Sequence, residues 1–92
     1  MARTKSFDGV TPATWQCVRT TSFREHGTIY EPDDSPRGTA TTPTLAGDVV
    51  LGYDYSEEDI TVTYTIEKKP FLMSDDTIWD GIEGTLKGCS FS

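Results

Sequence analysis

Between residues 60 and 66 the chain alternates without a break. Ile60, Val62, Tyr64 and Ile66 fall on one side, and Thr61, Thr63 and Thr65 fall on the other. A period of two built from β-branched and aromatic residues predicts a strand with one buried face. After Lys68-Lys69-Pro70 the period changes. From Ser74 onward Ile78, Trp79, Ile82 and Leu86 share one side of a helical wheel. Ser74 is placed as N-cap, with Asp75 and Asp76 in the first turn where the helix dipole favours negative charge. Lys87 closes the helix, and Gly88 is placed for a left-handed C′ position.

The same reading along the rest of the chain predicts a polar, flexible arm over residues 1–12, ending at Thr11-Pro12. Residues 14–23 read as a strand with Trp15, Cys17, Arg19, Thr21 and Phe23 on one side, its alternation spoiled by Val18. A turn at Glu25-His26-Gly27 joins it to a short strand at 28–31. Residues 32–44 hold three prolines and no large apolar residue, which predicts a long polar surface loop. Residues 45–55 resume the β pattern, with Val49, Leu51, Tyr53 and Tyr55 on one side, and pair with 60–66 as a second hairpin. The expected fold over residues 1–92 is therefore a single α+β domain: an antiparallel sheet of about four strands, in two hairpins, with one C-terminal helix across one face. Its expected core gathers Trp15, Val49, Leu51, Ile60, Val62, Tyr64, Ile66, Phe71, Ile78, Trp79, Ile82 and Leu86.

Composition adjusts this picture at a few points. Fifteen threonines favour sheet over helix. No segment reaches the length of a membrane span, and the basic N-terminus lacks the apolar run of a signal peptide. Cys17 and Cys89, without a CxxC pair, read most simply as reduced thiols in the cytoplasm; a Cys17–Cys89 bridge is the alternative if the first strand passes the end of the helix.

Charge is uneven. Residues 1–30 carry a net +2 and residues 31–92 a net −9, within a total of −7. An acidic surface argues against nucleic acid and against anionic membranes, so neither nucleic acid nor a membrane is expected as a partner; a protein partner, a basic one fitting best, or a cation is left. No cofactor motif is present in the sequence.

The candidate chemistry is sparse. His26, the only imidazole, has no nucleophile or HxxxH companion and reads as a solvated turn residue. Asp54, Glu57, Glu58 and Asp59 cluster without the ligand order of a calcium loop. On the helix, Thr77, Gly81, Gly84 and Gly88 form a stripe of small residues, which either lets a second helix approach or relieves crowding against the chain's own sheet. Asp76, Asp80 and Glu83 form an acidic stripe beside the apolar one. The 32–44 loop has the best claim to binding, with Asp33, Asp34 and Arg37 for polar contacts.

Three functions rank in this order. The first is a small acidic protein-binding module without catalytic activity, such as an inhibitor, immunity-type or adaptor protein, acting through Asp33, Asp34, Arg37, Asp76, Asp80 and Glu83. The second is an assembly subunit forming a homo-oligomer. The third is a small-ligand carrier or enzyme with a pocket between helix and sheet.

Overall fold

The computed structural model describes residues 3–32 and 35–89. Seven elements follow one another: β1 (Thr4–Phe7), α1 (Pro12–His26), β2 (Ile29–Glu31), β3 (Arg37–Thr44), β4 (Gly47–Ser56), β5 (Thr61–Lys68) and α2 (Asp75–Gly88). The strands form one sheet in the order β1-β5-β4-β3-β2, with every neighbouring pair antiparallel. The antiparallel sheet and the C-terminal helix are those read from the sequence; a fifth strand and a second helix are additions.

The largest correction is α1. Residues 14–23 are not a strand, and no hairpin turns at Gly27. The segment is helical because both of its ends are specified. Thr11 is the N-cap, its Oγ1 accepting the Thr14 N–H at 3.2 Å, and Pro12 occupies the first turn, where it sacrifices no bond. At the other end Gly27 adopts the left-handed conformation (φ 69°), so its N–H reaches Phe23 O at 3.0 Å and that of Thr28 reaches Ser22 O at 3.2 Å. Residues 4–7 are not a free arm either. They pair with β5, and beyond them Val10 is buried, its N–H donating to Ile60 O at 2.7 Å.

Residues 37–44, expected within a loop, form β3 between β2 and β4. Thr39, Thr41 and Thr42 supply the β-branched character. Pro43 lies past the last β2 pair, Ile29 with Thr41, so it interrupts the ladder least there.

The core lies on one face of the sheet. Val49, Leu51, Tyr53 and Tyr55 of β4 and Val62, Tyr64 and Ile66 of β5 point inward and are buried. Trp15 of α1 stacks on Tyr55 (centroids 5.1 Å, 13°) and meets Tyr30 edge-on at 6.1 Å. The Tyr55 hydroxyl donates to Val10 O at 2.7 Å. Opposite, a hydroxyl-rich face joins Thr4 to Thr65 at 3.0 Å and Ser6 to Thr63 at 2.8 Å.

From α2, Ile78 and Trp79 are buried, and Ile82 and Leu86 are partly so. Two expected core residues are outside it. Ile60 sits partly exposed at positive φ in the β4–β5 turn, and Phe71 is fully exposed between β5 and α2. Gly88 is the last helical residue, and Cys89, not Gly88, caps the helix.

Cys17 and Cys89 are bonded to each other, which overturns the reading of two reduced thiols. The bridge (Cα–Cα 5.7 Å) ties the middle of α1 to the end of α2 across 72 residues of sequence. Closing a loop this long removes much of the unfolded chain's freedom. Replacing both cysteines with serine is expected to lower unfolding free energy by about 2–4 kcal/mol, read as an earlier urea midpoint.

Candidate functional site: a cleft between the helices and the sheet

Both helices lie over the inner face of the sheet, and between them and the strands is a cleft of about 220 Å³. Three groups of residues build it. The α1 wall is Val18, Ser22 and His26, one turn apart on the same side. The α2 wall is Thr77, Ile78, Gly81, Ile82 and Thr85. The floor comes from Thr28 and Tyr30, from Ala40, Thr42 and Thr44 of β3, from Val49 and Leu51 of β4, and from Tyr64 of β5, with Met73 at one end.

Small side chains keep this space open. A Cβ added at Gly81 would meet nothing within 4 Å, so glycine there relieves no crowding. Two residues of the stripe, Thr77 and Gly81, form one wall of the cleft with Thr85; Gly84 and Gly88, where an added Cβ would also meet nothing within 4 Å, lie outside it. On the floor Ala40 is buried where a larger residue would fill the cleft.

The lining is mainly apolar and carries no Asp, Glu, Lys or Arg. Its polar groups are hydroxyls and one imidazole. Thr28 and Thr42 hydrogen-bond through their hydroxyls at 2.7 Å. The Tyr30 phenol lies beside Ser22 and Tyr64, and the Arg19 guanidinium lies over the Tyr30 ring at 5.5 Å. Burial, above all, pushes the Tyr30 phenol above its ordinary pKa, and pushes that of Tyr64 well above it. His26 is solvent-exposed at the rim, as the last residue of α1 rather than in a hairpin turn.

Of the residues singled out for binding, those that the structure describes lie outside the cleft. Asp33 and Asp34 are outside the described residues. Arg37 opens β3 and pairs with Asp54 at 3.2 Å, a solvent-exposed ion pair of little energetic weight. Asp76 and Asp80 are exposed on α2, and Glu83 pairs with Lys87 one turn on at 3.7 Å. Of Arg37, Asp76, Asp80 and Glu83, none lines the cleft. A second depression, about 340 Å³, is lined by Ser6, Asp8, Glu83 and Lys87 among others, and is more polar. Asp59 caps its own turn by accepting from the Ser56 hydroxyl at 3.3 Å. Among the described residues no three His, Cys, Asp or Glu side chains gather to hold a metal, and no helix is long and apolar enough to cross a membrane. Comparison with known protein families, with curated proteins and with solved structures finds no match.

The cleft residues were missed because 14–23 and 37–44 were assigned to other structures. The signal that could have found α1 is the Thr11-Pro12 start followed by Gly27 fifteen residues beyond Pro12.

The buried phenols give the site a measurable pH signature. A phenol whose folded pKa is raised stays neutral in the folded state while the unfolded chain ionises near pH 10. Stability from Tyr30 and Tyr64 is thus complete below about pH 10 and is lost as pH climbs above it. The urea midpoint should be level from pH 8 to about 9.5 and fall beyond, less steeply in Tyr64→Phe.

Proposed function

We propose that this chain is a binding protein for a small, largely apolar molecule held in the cleft between α1, α2 and the sheet. The observation that carries this reading is an apolar cleft whose opening is maintained by residues too small to fill it, Gly81 above all. Pockets of this kind, apolar with a few polar groups, are the usual form of small-molecule sites. At about 220 Å³ it suits one ring or a short acyl chain; a cavity of about 150 Å³ already accepts benzene. The rim hydroxyls and His26 suit a ligand with one hydrogen-bonding end. Binding rather than turnover is proposed, since the Thr28 and Thr42 hydroxyls are hydrogen-bonded to each other and burial holds the Tyr30 and Tyr64 phenols neutral.

The other two readings draw less support from the fold. Of the 32–44 segment expected to bind a protein, residues 37–44 form β3, whose two edges are both paired. Of the helix stripe that suggested self-assembly, Thr77 and Gly81 line the cleft, while Gly84 and Gly88 stand outside it. A structural disulfide also suits an oxidising compartment better than the cytoplasm.

Gly81→Leu is the deciding variant. Benzyl alcohol and hexanol, titrated into ¹⁵N-labelled protein, should shift the amides of Val18, Ala40 and Gly81 in the native chain. The leucine should abolish shifts at Val18 and Ala40 while leaving the fold at least as stable, because removing a helix-interior glycine gains roughly 0.5–1 kcal/mol. Gly84→Ala, outside the lining and equally unobstructed, should gain stability and keep binding. Probe binding that survives Gly81→Leu would place the site elsewhere.

A further inference from the structure

Three large apolar side chains stand fully in solvent at two loop tips: Leu45 (111% exposed), Phe71 (96%) and Leu72 (91%). The tips are neighbours. Leu45 sits in the β3–β4 hairpin, closed by the Thr44–Gly47 pair, and a Cβ on Gly47 would lie 3.7 Å from Pro70, the residue before Phe71. Each tip also adjoins the cleft, because Thr44 and Met73, the next residues in sequence, line it. The exposed side chains therefore stand at the end of the cleft that these two loops frame.

We propose that Leu45, Phe71 and Leu72 dock this end of the cleft onto an uncharged lipid surface, from which the ligand enters. The proposal rests on the cleft being a binding site and adds the surface that supplies it.

Area separates a lipid surface from a protein partner. Three side chains of this size offer on the order of 450 Å² at most. A standard protein interface needs about 800 Å² per partner, shaped to match. Projecting side chains on separate tips present no continuous surface for a second copy to match, whereas a fluid interface closes around them with no need of shape.

Charge selects the kind of lipid. The chain carries −7 overall. Beside the tips Lys69 is engaged by Asp75 at 2.9 Å, and Asp48 and Asp76 stand nearby in sequence with Lys68. Nothing there favours an anionic bilayer; a zwitterionic surface imposes no such penalty, and docking onto it departs from the expectation that no membrane is a partner.

Flotation with phosphatidylcholine vesicles tests this. The native chain should float with the vesicles, and adding phosphatidylserine should not strengthen the association. The triple variant Leu45→Ser, Phe71→Ser and Leu72→Ser should partition at least about tenfold less, while retaining its circular dichroism and its benzyl alcohol binding. Gly81→Leu should still float, so a failed cleft and a failed docking surface give different results. Native protein that stays with the aqueous phase, or a triple variant that floats equally, overturns the proposal. So does a native dimer in light scattering that the three serines dissolve, which would assign the tips to a second copy.

Discussion

Trp15 is where α1 meets the sheet, and the geometry of that meeting governs the rest. Its indole contacts Tyr30 of β2, Tyr53 and Tyr55 of β4 and Tyr64 of β5, with centroids 5.1–6.4 Å away. These aromatic groups fill the space between the first turn of α1 and the strands. Farther along the helix the facing residues shrink to Ser22, with Ala40 on the floor beneath and Gly81 across the gap. Large groups at one end and small groups at the other cannot both be filled by straight elements. The cleft is the space that results.

That arrangement also explains which parts of the fold were legible. Strands β4 and β5 and helix α2 bury unbroken apolar faces, so Val49, Leu51, Val62, Tyr64, Ile78 and Trp79 carry their periodicity openly. Helix α1 buries only Thr14, Trp15 and Val18, and beyond Val18 it borders the cleft rather than the core. A helix over an opening shows no continuous apolar stripe. In its absence the chance alternation of Trp15, Cys17 and Phe23 reads as a strand. Strand β3 is hidden for the same reason. Its buried residue is Ala40 rather than Val or Leu, so its prolines and threonines resemble a loop. The segments that shape the candidate site were thus the least legible, because a site that must stay empty needs side chains that leave no hydrophobic pattern.

Surface features followed a different logic. The acidic stripe of α2 lies on its wheel as read from the sequence, with Asp76 and Asp80 exposed and Glu83 paired with Lys87. Charge that is merely solvated looks the same in sequence as charge that recognises a partner. Exposed Phe71 is the converse case. Nothing in its own position in the sequence says whether a phenylalanine beside Pro70 folds inward or projects.

An open cleft has an energetic consequence that the disulfide addresses. Gly81 and Gly84 each weaken α2 by roughly 0.5–1 kcal/mol relative to alanine. At Gly81 that weakness cannot be removed with a larger side chain without intruding on the space. The two helices also gain little from each other where the cleft separates them. A restraint that acts through the unfolded chain, rather than through packing, stabilises such a structure without occupying its interior. The Cys17–Cys89 bond has this property, and it lies on α1 between Trp15 and Val18, at the packed end of the wedge. It fixes α1 and α2 to each other at the end where they touch and leaves the other end, with Thr44, Met73 and the exposed tips, free to admit a ligand.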